Sequence, residues 1–424
     1  MPLNRTLPAT LALSLLLALP VLAKDPAPLP TIAPATAGLS ATRLERLHQT
    51  LDRTVDDGSH AGYILLLARD GKIVDWRAHG FADATTKTPI QKDSIVRLFS
   101  MTKLVTSTAA LILVEEGRLK LTDRVDQFLP ALANLKVFTG GTADAPVLVD
   151  AASPITIEQL LTHTAGTFYN FSAPPELVKI QDRADLWTAP NLTEFVARVA
   201  KVPLAHQPGT AFAYGINTDL LGAVIEKVSG QSLDDFFQQR ICGPLKMVDT
   251  AFWVPAEKRA RIARIHTRNA AGQLVLDTIE NNDERCGPTH GLRMGGAGLY
   301  STAGDYVRFA QMLLNGGQLD GARILGRKSV ELMTRDHIAH LPQPHPFGAV
   351  EQGFGLGVRV VTNLGRSPTL GSEGCFGWDG YATTTVQIDP KERTVALLLY
   401  QHLPFNEGDV FVPFTNGWYS TLEN

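Results

Sequence analysis

Ser100 and Lys103 stand three residues apart at the head of a long apolar run. Leu104, Val105, Ala109, Leu111, Ile112 and Val114 follow, and the run stops near Glu115-Glu116-Gly117. On a helix, positions i and i+3 share a face, so a Ser100 hydroxyl and a Lys103 amine can meet while Met101 and Thr102 point elsewhere. A serine hydroxyl attacks a carbonyl only when a base takes its proton. A lysine desolvated in a helix that is apolar nearly all round has its pKa lowered toward the range where its neutral amine is such a base. Backbone N–H groups at a helix start favour the negative charge that develops. The chemistry is therefore nucleophilic attack on an acyl group. A Ser-x-x-Lys quartet is weak alone, since a chain this long holds about one by chance. Its context strengthens it: no other occurs in the chain, and an exposed Lys would be out of place in so apolar a segment.

The elements around the pair follow from capping and periodicity. Ser40 can cap a helix carrying Leu44, Leu47, Leu51 and Val55 at helical spacing, ended by Gly58. Gly62 to Arg69 and Lys72 to His79 read as strands joined by the hairpin dipeptide Asp70-Gly71. Helix starts are signalled at Thr156 with Gln159, Asn191 with Glu194 and Ser232 with Asp235. Thr302 and Asp305 open another helix, ending at Gly316, and strands are expected over Gly355–Val361, Tyr381–Ile388 and Thr394–Gln401. The expected fold class is α/β plus all-α. An antiparallel sheet built from both terminal segments is flanked by helices, with a mainly helical domain inserted. The expected division is 39–98 with 288–424 as the α/β domain and 99–287 as the helical one, the catalytic cleft lying at their junction.

The run Arg97-Leu98-Phe99-Ser100-Met101-Thr102-Lys103, followed by Leu113-Val114-Glu115-Glu116-Gly117, resembles the nucleophile region of the serine β-lactamase and penicillin-binding-protein superfamily. In particular it resembles the family VIII carboxylesterases, ester-hydrolysing relatives of class C β-lactamases. Further matches are Leu160 to Gly166, Pro208-Gly209-Thr210 with Tyr214, Pro244 to Met247, Gly295 to Leu299 with Ser301-Thr302, and Gly377-Trp378-Asp379-Gly380. They span nearly the whole chain after residue 38.

The resemblance implies a β-lactamase/DD-peptidase-like fold. It makes Tyr214 the second catalytic group, sharing protons with Ser100 and Lys103; beside two such partners a phenol pKa can fall below its usual value of about 10. From its local sequence alone, Tyr214 is equally an ordinary packed aromatic beside Phe212. The resemblance also implies an oxyanion hole from the backbone N–H groups of Ser100 and Tyr381, with Tyr381 beginning the strand that lines the nucleophile. Trp378, Gly380, Asn217 and Tyr169 are the candidate substrate contacts. Two positions depart from the superfamily pattern. Ile216 stands where it has Asn, and Asn217, one later, can instead cap a helix running to about Ser229. Trp378 stands where it has Lys or His. Without that cation a β-lactam or peptide carboxylate loses its direct partner, while an apolar ester loses nothing. Asp379 receives no role. The implied activity is a serine carboxylesterase acting on short-chain esters. The alternatives are a β-lactamase or D-amino-acid peptidase, acyl transfer to an alcohol, and a non-catalytic cell-wall binding protein.

Composition narrows the remaining classes. Apolar residues are 44% and charged ones 19% of 424, too apolar and too weakly charged for a disordered chain. Net charge is -3 with no dense basic run, which argues against nucleic acid. Arg5, the apolar stretch Leu7 to Leu19, and Pro20 to Ala23 read as a cleaved signal peptide over 1–23, followed by a Pro/Ala-rich linker over 24–38. The apolar run falls short of the roughly 20 residues that span a bilayer, so no stable membrane insertion is expected. The mature chain is expected to be periplasmic or secreted, where a Cys242–Cys286 disulfide could persist.

No GxSxG elbow occurs, against an α/β-hydrolase. His163 is read as a structural hydrogen-bonding residue, Gly295 to Gly298 as a tight backbone contact, and Cys375 as a packed thiol. Asp336, His337, His340 and His345 are set aside as a solvated loop, so the metal expectation is none. No cofactor is indicated. The expected partner is a small-molecule ester.

Overall fold

The computed structural model describes residues 28–281, 287, 291–343 and 346–423. The expected signal peptide and Cys286 fall outside them. The helices are α1 (Ala41–Asp56), α2 (Thr102–Glu115), α3 (Ile157–Leu161), α4 (Pro175–Ala184), α5 (Leu192–Val199), α6 (Asn217–Ser229), α7 (Leu233–Phe237), α8 (Ala303–Leu314), α9 (Arg327–Met333) and α10 (Phe411–Tyr419). The strands of the main sheet are β1 (Gly62–Arg69), β2 (Lys72–Asp83), β3 (Thr88–Pro89), β4 (Gln352–Phe354), β5 (Arg359–Val361), β6 (Phe376–Gly380), β7 (Thr384–Asp389) and β8 (Thr394–Tyr400).

The eight strands run in the order β4-β5-β6-β7-β8-β1-β2-β3, all antiparallel. The two ends of the chain meet at its middle, where β1 pairs with β8 from Tyr63 opposite Tyr400 to Arg69 opposite Thr394. Asp70 and Gly71 both take positive φ, 52° and 74°, as a tight hairpin between right-twisted strands requires.

β1 is buried along its whole length because helices cover both faces. Tyr63, Leu65 and Leu67 pack with Leu44, Leu47 and Leu51 of α1 and with Phe414 and Trp418 of α10. Ile64, Leu66 and Ala68 face the larger core, which holds α2, α6 and α8. Each fully buried Leu or Ile contributes roughly 1.5–3 kcal/mol against exposure, so this alternation fixes the register. The antiparallel sheet from both termini, with helices packed on it and helices between, is the expected class. Among the described residues no helix is long and apolar enough to cross a membrane.

The capping pairs Thr156 with Gln159, Asn191 with Glu194, Ser232 with Asp235 and Thr302 with Asp305 all form at helix starts. Four expectations need correction. Ser40 precedes α1, but its side chain makes no cap bond; its N–H instead donates to Thr421 O at 2.7 Å, tying α1 to the C-terminus. Asn217 is the first residue of α6 and not its cap; Ile216 holds the cap position.

Of the expected strand Gly355–Val361 only Arg359–Val361 is extended, and residues 355–358 form a buried turn after β4. Gly357 there has φ 81°, and a Cβ on it would lie 1.9 Å from Ser107 Oγ, so close approach to α2 replaces extension. The expected strand from Tyr381 begins only at Thr384. Residues 381–383 form the turn between β6 and β7, with Thr383 at φ 61°, and Tyr381 is exposed.

Candidate active site

The nucleophile segment is a short helical turn, Phe99–Met101, running directly into α2. Phe99 holds φ 45°, an uncommon backbone for a bulky residue, and turns the chain so that Ser100 is half-buried while its neighbours face the core. Residues Thr102 to Leu113 of α2 are all buried, as a helix without a polar face must be. Leu98 N donates to Leu299 O at 2.9 Å, and Leu299 N donates to Thr102 Oγ1 at 3.1 Å. The glycine run sits on the same helix, with Thr106 Oγ1 donating to Gly295 O at 2.6 Å. A Cβ on Gly295 would lie 2.6 Å from Thr218 O, so backbone packs against backbone there, as expected for this run.

Lys103 has no exposed surface. Its Nζ lies 3.0 Å from Ser100 Oγ, donates to Gly296 O at 2.8 Å, and lies 3.3 Å from Tyr169 Oη. It also sits 4.7 Å from the centroid of the Tyr214 ring. Burial pushes its amine down to about 7, against the opposing attraction of Asp219. At neutral pH a large fraction is then the free base, aimed at the Ser100 proton.

Tyr214 precedes α6, its ring packed on His163, Trp378 and Tyr169. Its oxygen accepts the indole N–H of Trp378 at 2.8 Å and lies within hydrogen-bonding reach of Ser100. The expectation of a lowered phenol pKa is overturned. Burial pushes it upward, outweighing the hydrogen bonds with Ser100 and Trp378. Tyr214 is thus a neutral phenol able to donate a proton, and Lys103 is the group placed and tuned to accept one.

The other residues singled out in the sequence fall in different places. Trp378 lies on β6 in the cleft wall, its indole turned onto Tyr214. Gly380 ends β6, where a Cβ would lie 2.3 Å from Leu98 O; its bare Cα lets the strand close on the nucleophile turn. Tyr381 follows it, ring edge-on to Phe99 at 5.6 Å. Tyr169 is half-buried, bridging Lys103 Nζ and Asp219 Oδ2 at 3.3 and 3.5 Å. Asn217 is fully buried, and its amide donates to His163 Nδ1 at 2.8 Å, which takes it out of the cleft. A buried amide needs such a partner. His163 also accepts from Gly215 N at 3.3 Å, a structural role, with its ring held neutral by burial and by Lys103.

Asp379 pairs with Arg359 on β5 and accepts from Thr385 Oγ1 at 2.6 Å, on the sheet face away from Trp378. That face carries an open recess of about 200 Å3 lined by Arg359, Asp379 and Tyr419, apart from the nucleophile. Cys375 and Cys242 are buried and form no disulfide among the described residues. Asp336 accepts the N–H groups of Ile338 and Phe354, and His337 bonds Glu158; His345 lies outside the described residues.

Asp219 was not singled out in the sequence. It is fully buried on α6, its Oδ1 accepting the N–H of Gly296 at 2.9 Å, and burial raises its pKa against the pull of Lys103. A signal was present: a carboxylate inside the apolar stretch Asn217 to Ile225 is as out of place as Lys103 is in α2.

With this geometry in view, the family model described as Beta-lactamase matches residues 47–413. The chain belongs to the β-lactamase family. Among its relatives, an uncharacterized protein of Mycobacterium tuberculosis is 34% identical over 360 residues, covering 82% of this chain and 88% of that protein. Lovastatin esterase of Penicillium rubens is 34% identical over 343 residues, covering 76% and 84%. Among solved structures, unliganded simvastatin synthase from Aspergillus terreus is 26% identical, with a TM-score of 0.77 over 90% of this chain and 99% of that one. Family membership and fold agree with the Ser-x-x-Lys reading, and the similarity reaches esterases and acyltransferases.

Proposed function

We propose that this β-lactamase-family protein is a serine carboxylesterase that cleaves short-chain esters through an acyl-enzyme on Ser100. The observation that carries the reading is the Lys103 amine, buried, brought down to about 7, and 3.0 Å from Ser100 Oγ. The Ser100 proton passes to the neutral Lys103 amine as Oγ bonds the ester carbonyl carbon. The resulting oxyanion is held by the backbone N–H groups of Ser100 and Tyr381, donors of a kind that contributes about 3–4 kcal/mol each. The bond from carbon to the alcohol oxygen then breaks, and Tyr214 gives its phenolic proton to that oxygen. The Lys103 ammonium, 4.7 Å from the centroid of the Tyr214 ring, then returns a proton to that phenolate. Water attacks the acyl-Ser100 ester by the same route in reverse, releasing the acid and restoring Ser100.

Trp378 in place of a cation supports an uncharged ester over a β-lactam or D-peptide carboxylate. The similarity to a synthase supports a second reading, in which an alcohol replaces water in the last step. The leader-like segment at residues 1–23 supports action outside the cytoplasm. Fluorophosphonate labelling with intact-mass and peptide mapping tests the reading: one label on Ser100 is expected, with butyrate ester turnover abolished in Ser100→Ala. A label elsewhere, or undiminished turnover in that variant, overturns it. Product analysis in mixed water and alcohol separates hydrolysis from transfer.

A further inference from the structure

The catalytic tyrosine carries an outer layer of aromatic rings that the acylation chemistry does not use. Phe171, Phe347 and Trp187 are 65%, 63% and 43% exposed, yet each packs against the site. Phe171 meets Tyr169 at 5.8 Å and Tyr214 at 6.1 Å between centroids. Phe347 meets Tyr214 at 5.5 Å and Trp378 at 6.3 Å, and Trp187 stacks on Tyr169 at 6.4 Å. Large rings left in water and gathered in one place mark a ligand groove. Phe347 is also held at φ 53°, strained for a bulky residue, and the strain presents its ring toward Tyr214.

We propose that Phe171, Phe347 and Trp187 form a subsite for the leaving alcohol of the ester, and that this alcohol is flat, bulky and apolar, aromatic or fused-ring. The inference rests on the esterase reading and adds direction to it. The tetrahedral carbon on Ser100 has three other substituents. Its oxyanion points to the Ser100 and Tyr381 N–H groups, and its leaving oxygen points to the proton donor, Tyr214. The acyl chain takes the remaining direction. The exposed rings rest on Tyr214 and its neighbour Tyr169, so they flank the leaving oxygen. Aromatic faces at these separations favour offset or edge contacts with another planar apolar group. Binding energy on the alcohol side assists acylation and leaves the acyl part free to be small.

The test compares butyrate esters of ethanol, 1-hexanol and 2-(2-naphthyl)ethanol, alcohols of similar acidity that share one acyl-enzyme, so that alcohol recognition appears in kcat/KM. The naphthylethyl ester is expected to exceed the other two by roughly tenfold or more. Phe171→Ala and Phe347→Ala are each expected to cut that ratio several-fold, with Phe171→Leu and Phe347→Leu as replacements where an Ala variant fails to fold. Ethyl 2-naphthylacetate, with its ring on the acid side, is expected to show no such advantage. A ratio near one, or a ratio unmoved in the variants, overturns the subsite. An equal advantage for the naphthylacetate, lost in the same variants, overturns its assignment to the alcohol. Fluorophosphonate labelling of Ser100 with ethyl butyrate turnover but no ring preference removes the subsite alone. No labelling and no ester cleaved removes the esterase reading itself.

Discussion

The indole N–H of Trp378 donates to the phenolic oxygen of Tyr214 across 2.8 Å. An indole only donates, so the Tyr214 oxygen is bound to accept there, and its own proton is turned toward the remaining partner, Ser100. A cation at position 378 would offer charge to a carboxylate; the indole offers none and spends its one donor orienting the phenol.

Trp378→Phe keeps the ring packing and removes the donor. We expect kcat/KM for a butyrate ester to fall about tenfold, the size of one hydrogen bond, with fluorophosphonate labelling of Ser100 retained. Steady-state kinetics beside labelling rates check this; an unchanged kcat/KM would show that the phenol needs no such orientation.

The pH profile should follow Lys103. Its amine, brought down to about 7 by burial, is the base only when unprotonated, so kcat/KM rises with pH through about 7. Asp219 favours the protonated amine. Asp219→Asn keeps an acceptor for Gly296 N–H and removes the charge, so the midpoint should move to lower pH. A midpoint moving upward would refute the electrostatic role given to Asp219.

Gly380→Ala places a Cβ 2.3 Å from Leu98 O and 2.2 Å from Thr384 Oγ1. The end of β6 then has to withdraw from the nucleophile turn, displacing the Tyr381 N–H proposed as an oxyanion donor. A loss of roughly 100-fold in kcat is expected, the size seen when one oxyanion donor is lost, while circular dichroism stays native.

Acid should weaken the sheet where three histidines gather. His60, His266 and His402 are all buried, and His60 and His402 lie 4.4 Å apart between centroids. Burial, helped by His402, pushes His60 down to about 4 from 6.5, with Glu407 and Asp57 pulling the other way. As pH falls below about 6.5 the unfolded chain takes the proton first. The stability from the neutral ring is complete above that value, withdrawn on the way to about 4, and gone below it. The shift corresponds to about 3 kcal/mol. Thermal midpoints from pH 7 to 4 should drop, and His60→Phe should flatten the drop; parallel curves for both proteins would contradict it.

Local signals in the chain carried most of the architecture. Continuous apolar runs marked β1 and β8, paired polar caps marked α3, α5, α7 and α8, and a Ser-Lys pair inside an apolar helix marked the candidate nucleophile. These are contacts between near neighbours, so composition and spacing suffice to specify them. Where spacing misled, a distant group had intervened. Gly355 to Val361 reads as a strand until Ser107 on α2 takes the space beside Gly357. Asn217 reads as a cap until His163, fifty-four residues away, claims its amide. Ser100 and Lys103 were determined by sequence alone, because one helical turn brings them together. That burial keeps the Tyr214 phenol neutral, that Asp219 stands behind Lys103, and that exposed aromatic rings gather on Tyr214 and Tyr169 were decided only by the tertiary structure. Desolvation and through-space charge depend on what the whole fold buries around an atom, and no local stretch of sequence holds that information.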